Sequence, residues 1–297
     1  MDGDNSNNHH TRKNGAPEAA ALVPSARRRS PWPLAVVAAL FIILPFLSWY
    51  GTTFWRQLTD EEIEKYLGDT QKPRHVQHAL EQIDRRIVEG DEGVKRWYPR
   101  VVGVAGNALP DLRMTAAWVM GDDNKAEEFH VALKGLLADG EPAVRRMAAL
   151  SLSRFNDGSG RAELLSMLRS YSVKVPQAGT LVTVLPVNSA VTREAMLARM
   201  RDERGTVHEV RAPVAGKIER VSAAEGTNLA AGAELLVLAP DGKNAWEALR
   251  ALYVVGETEE LPEIERYARG EAAGMSDEIK KQAARTAEAI KSRAARR

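Results

Sequence analysis

The sequence predicts a mainly helical protein of repeated helix pairs, with an all-β module inserted among them and one transmembrane helix ahead of both. Three observations predict it. A helical pattern recurs at an offset of 32 residues, a Val-rich stretch punctuated by Gly and Pro carries its own repeat at an offset of 37, and an uncharged apolar run lies near the N-terminus. Periodicity of apolar positions separates helix from strand, and internal repeats mark arrays of supersecondary units.

Composition sets the outer bounds. The 297 residues carry a net charge of +1 and no cysteine. Near-neutral charge argues against a general nucleic-acid partner. The absence of Cys removes disulfides, thiolate metal sites and cysteine nucleophiles.

Residues 1–33 are rich in Asn, Ala, Gly and Ser without an apolar period and read as a disordered cytoplasmic tail. Residues 34–54 follow as the predicted transmembrane helix, uncharged from Leu34 to Trp55 and flanked by Trp32, Trp49, Tyr50 and Trp55. A bilayer core needs about 20 apolar residues, and aromatic residues favour its two interfaces. A cleaved secretory signal is the alternative, but no small-x-small site follows the run. Arg27, Arg28 and Arg29 precede it and Asp60, Glu61 and Glu62 follow it. The positive-inside rule then places the N-terminus in the cytoplasm and the bulk outside it. The expectation is a single-pass protein of the bacterial inner membrane with its body in the periplasm.

Thr59 and Glu62 open the next segment as a capping box. Across residues 57–170 the pattern is helical, with Val76, Leu80, Ile83 and Ile87 as one stripe of a degenerate first unit. Leu112-Arg-Met-Thr-Ala116-Ala117-Trp118-Val119-Met120 then aligns with Val144-Arg-Arg-Met-Ala148-Ala149-Leu150-Ser151-Leu152, and Leu133 and Leu136 with Leu165 and Leu168. Alanines on the packing face let a neighbouring helix approach closely. Pro142 suits a first helical turn. After the β stretch, residues 243–297 resume the pattern: Ala245, Ala248, Leu249 and Leu252, then Ile279, Ala283, Ala284 and Ala287, with Ser276 as a cap.

These residues resemble the short bacterial HEAT repeat, whose signature Val-Arg-x-x-Ala-Ala-x-x-Leu is matched by Val144, Arg145, Ala148, Ala149 and Leu152. The resemblance implies an α-solenoid of HEAT-like helix pairs, each contacting its neighbours and together presenting an extended surface.

Within 173–240, Val175-Pro176-Gln-Ala178-Gly179-Thr-Leu181 aligns with Ala212-Pro213-Val-Ala215-Gly216-Lys-Ile218. With one gap, Val191 pairs with Leu229 and Leu197 with Leu235. The second half continues Glu225-Gly226 and Gly232; in the first half Asn188-Ser189 and Glu194 stand in those places. This stretch resembles the biotinyl/lipoyl-like fold, a flattened barrel of two intertwined half-motifs, as also found in membrane fusion proteins. Carriers of that fold attach their cofactor to a lysine in the hairpin between the halves. Here Arg204 occupies the lipoyl-lysine position, and no lysine lies between Lys174 and Lys217. A guanidinium stays protonated and cannot accept an acyl group. No cofactor is expected.

No catalytic or metal site is predicted. His75 and His78, at i, i+3, could present two metal ligands but read better as a solvated helix face, and His9-His10 lie in the tail. Gly103-x-x-Gly106 lacks the preceding strand of a phosphate loop. The basic C-terminus (Lys280, Lys281, Arg285, Lys291, Arg293, Arg296, Arg297) reads as a solvated face, or as a contact for anionic lipid or an acidic partner. The functional expectation is a membrane-anchored, non-catalytic scaffold whose partners are envelope or inner-membrane proteins, a transporter among them. The alternative is an accessory periplasmic adaptor of a transporter or secretion system. An enzyme would need a converging acid, base or nucleophile that the residues do not supply.

Overall fold

The computed structural model describes residues 39–41, 43, 57–69 and 71–296. The chain divides into two units, Met1–Arg56 and Gln57–Arg297. The expected tail and nearly all of the expected span 34–54 lie outside the described residues. Only residues 39–41 and 43 of that span are described, as helical, and no helix among the described residues is long and apolar enough to cross a membrane. This corrects the expectation of a single-pass inner-membrane protein. The periplasmic placement of the body depended on a continuous apolar helix of about 20 residues, and it falls with that helix.

The second unit mixes helices with two antiparallel four-stranded sheets. Capping chemistry accounts for where its helices begin. The helix α1 (Asp60–Leu67) starts at Thr59, whose hydroxyl accepts from the Glu62 amide while the Glu62 carboxylate accepts from the Thr59 amide. Prolines open α2 (Pro73–Glu89), α4 (Pro110–Met120) and α6 (Pro142–Arg154), where the missing N–H costs nothing. Between them lie α3 (Tyr98–Val104) and α5 (Glu127–Leu136), and α7 (Arg161–Ser166) follows α6. Asp241 caps α8 (Gly242–Val255); α9 (Leu261–Ala268) follows, and Ser276 caps α10 (Asp277–Ala294).

The helices α2, α4, α6, α8 and α10 pack each against the next, although the whole β module separates α6 and α7 from α8 in the chain. The reason is visible in the core. Ala149, Leu164 and Leu168, which precede the strands, share one buried cluster with Ala245, Leu249, Leu252, Ile264, Tyr267 and Ile290, which follow them. Tyr267 closes the seam by donating its hydroxyl to the Leu168 carbonyl at 2.8 Å. Fully buried alanines line the helix contacts, among them Ala116, Ala148, Ala248 and Ala283.

Two polar devices recur along this row. The arginines of Leu112-Arg113 and Val144-Arg145 each clamp the loop before their own helix. Arg113 Nη1 donates to the carbonyls of Asn107 and Ala108, and Arg145 Nη1 to those of Asp139 and Gly140. Arg113 also grips Asp139 in two bonds of 2.6 and 2.8 Å, and Arg145 reaches Glu163 at 3.2 Å. The second device is a buried hydroxyl bonded across to the preceding helix of the row. Ser151 donates to the Ala117 carbonyl at 2.8 Å, and Thr286 to the Leu249 carbonyl at 2.9 Å. Ala117 lies in the last turn of α4, where carbonyls have no helical amide of their own.

The module consists of β1 (Tyr171–Lys174), β2 (Gly179–Val184), β3 (Ala190–Val191), β4 (Met196–Arg201), β5 (Val207–Arg211), β6 (Gly216–Val221), β7 (Asn228–Leu229) and β8 (Glu234–Pro240). One sheet has the order β1-β8-β6-β3 and the other β5-β4-β2-β7. Each sheet therefore takes two strands from each half of the sequence repeat. Leu181, Leu197, Ala212, Ile218 and Leu235 are buried between them. The backbone bonding repeats with the halves. Asn188 N–H donates to Ile218 O as Gly226 N–H does to Leu181 O, and Glu194 N–H to Ala212 O as Gly232 N–H does to Val175 O, all at 2.8 Å. All four donors have positive φ: 73° at Asn188, 65° at Glu194, 86° at Gly226 and 81° at Gly232. Tyr171 pairs with Leu238, so the chain enters and leaves the module on neighbouring strands.

Candidate functional site

Two places could carry function: the hairpin that bears Arg204, and the open face of the helical row.

The hairpin joins β4 to β5, whose last ladder pair is Arg201 with Val207. Asp202 organises its turn. One carboxylate oxygen accepts from the amides of Arg204 (2.9 Å) and Thr206 (2.8 Å), the other lies 2.9 Å from His208 Nε2, and these bonds hold the Asp202 carboxyl below its usual range. Gly205 supplies the positive φ of 83°. Arg204 stands exposed at the tip and forms no ion pair among the described residues. The tip thus presents a fixed positive charge and no amine.

The expected histidine pair does not converge on an open ligand position. The His75 ring stacks on Tyr66, centroids 4.2 Å apart, and its Nδ1 lies 2.9 Å from Asp69, while His78 tilts against the same tyrosine at 6.2 Å. His9 and His10 lie outside the described residues. Among the described residues no group of three or more His, Cys, Asp or Glu is gathered for a metal ion. His130 sits 2.7 Å from Asp157, which Lys134 also approaches at 3.0 Å. Burial opposes ionisation of Asp157, but bonds from Ser159, Lys134 and His130 outweigh it and hold the carboxyl well below the ordinary range. Asp157 also receives the Ser159 amide at the start of a 3-10 turn, so the cluster fastens a loop.

The helical face is a pair of adjoining grooves. One, of about 490 Å³, runs between α6 and α8 and is lined by Trp118, Met147, Leu150, Arg154 and Lys243 among others. The second, of about 770 Å³, lies between α8 and α10 and is lined by Tyr253, Gln282, Arg285, Glu288, Arg293 and others. Arg250 and Val254 border both. Sequence reading singled out Arg285, Arg293 and Arg296 as a basic tail face. The structure brings them beside Arg250 of α8, which it had passed over; Arg297 lies outside the described residues. No local pattern pointed to Arg250; in the structure the neighbouring Tyr253 and Val254 are 47% and 44% exposed at the end of an otherwise packed helix.

Arg154, at the far end of the groove, is held by an ion pair with Asp122. Behind it lies Asp84 of α2. Burial, reinforced by its hydrogen bond with Asp122 and by that residue's charge, pushes the Asp84 carboxyl up to about 7.

No family model matches this chain, and no curated protein is similar to it at a significant level. Among solved structures, one is of a single-chain, multi-domain long-chain acyl-CoA carboxylase. It shares 22% identity over 34% of this chain, with a TM-score of 0.23. The chain spans only 10% of that protein, and a likeness this slight carries no argument about fold or activity.

Proposed function

We propose that this chain is a non-catalytic interaction scaffold: a HEAT-like array of helix pairs interrupted by a cofactor-free, biotinyl/lipoyl-like β module. The observation that carries this reading is the groove along α6, α8 and α10. It is open, built on a row of rigid helices, and combines exposed apolar side chains with charged ones. Apolar anchors within a polar rim are the usual anatomy of a protein-binding surface. The hairpin supports the same reading from the other side. With Arg204 at its tip the module has no amine to acylate there, which leaves a rigid surface as what it can offer.

The test is photo-cross-linking of the full-length chain in its native cells, with the reactive residue at Val254 in the groove or at Glu203 in the hairpin. A discrete partner protein captured at one or both positions is expected. A chain that is captured by nothing at either position, at native expression, overturns the reading.

A further inference from the structure

We propose that the groove across α6, α8 and α10 seats an acidic, amphipathic segment of a partner protein. This rests on the scaffold reading and names the chemistry of its partner. Charge is the first argument. Arg154, Lys243, Arg250, Arg285, Arg293 and Arg296 line the two grooves against only Glu247 and Glu288, six cations to two carboxylates. The whole chain carries only +1, so the excess is local.

The second argument is which of these cations are free to meet a ligand. Arg154 is engaged by Asp122, and Arg293 is spent on the carbonyls of Tyr253 and Gly256. Lys243 and Arg285 have no ion pair among the described residues, and Arg250 reaches Glu247 only at 3.8 Å. Lys243, Arg250 and Arg285 therefore present charges on three successive stretches of the groove wall with little internal compensation.

The third argument selects a peptide over other polyanions. Tyr253 and Val254 stand nearly half-exposed between the cations, and Trp118 and Leu150 continue the apolar floor. Such anchors reward an apolar helix face. Glu247 and Glu288 sit inside the same groove and repel a uniformly charged phosphate backbone, whereas a peptide can place a neutral or basic residue opposite each. Residues 1–56 of the chain itself hold six Lys or Arg and three Asp or Glu, so they share the sign of the groove. A second copy would bring the same cations against one another.

The experiment titrates the full-length chain with a labelled, synthetic helical peptide that carries glutamates on one face and leucine and tryptophan on the other. Its lysine-for-glutamate counterpart, a single-stranded oligonucleotide and phosphatidylglycerol vesicles are the comparison probes. The acidic peptide is expected to bind the tightest. The double variant R250E/R285E, on exposed helix positions, is expected to weaken it on the order of tenfold and to improve the lysine peptide, with an unchanged circular-dichroism melt. The proposal is overturned if the lysine peptide, oligonucleotide or vesicles bind as tightly, if the double variant changes nothing, or if the groove is occupied by self-association in sedimentation. Cross-linking at Val254 to a partner segment that is not acidic would sink this proposal and leave the scaffold reading standing. Capture at neither Val254 nor Glu203 would sink the scaffold reading, while the titration would still report the groove's charge preference.

Discussion

Asp84 shows how a single carboxyl can oppose the fold that contains it. Burial and the neighbouring Asp122 raise it to about 7, and its Oδ1 has no hydrogen-bond partner. An unfolded aspartate titrates near about 3.9. The folded state therefore binds the proton more tightly, and the stability this group contributes is complete below about pH 4 and is lost as the pH rises through 7. Asp84→Asn keeps the shape and removes the titration. It is expected to stabilise the protein by about 1–2 kcal/mol at pH 8, the partial exposure of the site screening the full linkage value, and by little at pH 4. Urea denaturation of both proteins at the two pH values measures it; the same difference at both would remove the assignment. Asp139 works in the opposite sense, since the bidentate Arg113 holds its carboxyl below the ordinary range and its contribution fades in acid. For that reason the difference between variant and parent, not the parent's own profile, is the informative quantity. None of this was legible in the sequence, where Asp84, Asp122 and Arg154 are 38 and 32 residues apart.

Among the elements, the four positive-φ turns of the β module show local chemistry and fold in partial conflict. Aligning the two halves sets Asn188-Ser189 against Glu225-Gly226, and Glu194 against Gly232. The structure moves the first pairing by one residue, since Asn188 rather than Ser189 bonds as Gly226 does; with that shift all four positive-φ backbones bond alike. Asn tolerates the left-handed region, but a glutamate there is strained. Glu194→Gly is expected to raise stability by a few tenths to about 1 kcal/mol, part of the relief being offset by the entropy of an unfolded glycine. Gly232→Ala, with open space around its Cβ but φ at 81°, is expected to cost about 1 kcal/mol. Thermal melts of the two variants should therefore shift in opposite directions; shifts of the same sign would mean that the turns are not equivalent. The helix starts, by contrast, were open to inspection. Thr59 with Glu62, Pro142 and Ser276 each do at a helix N-terminus what their residue types dictate.

For the whole molecule, the packing of α6 and α7 on α8 gives the helices a buried cluster separate from that of the module inserted between them. Ala149, Leu164 and Leu168 are buried in the same cluster as Ala245, Leu249 and Tyr267. The module's two ends meet on paired strands, at Tyr171 and Leu238. Replacing residues 171–240 by a short Gly-Ser linker is expected to leave a helical protein that melts in one cooperative step by circular dichroism. A broad, non-cooperative melt would show that the strands hold the two helical segments together.

The sequence by itself determined the alternation of helix and strand, the repeats within each, and the absence of an amine at Arg204. These are local matters of periodicity, turn chemistry and residue type, which the chain states directly. The anchor expected at 34–54 is not supported, since no helix among the described residues is long and apolar enough to cross a membrane. Only the tertiary structure decided that Ala149 and Ala245 share a core across a whole intervening module, and that Arg250 and Arg285 face one groove. Burial and charge proximity depend on distances in space between segments far apart in the chain, and no local pattern encodes them.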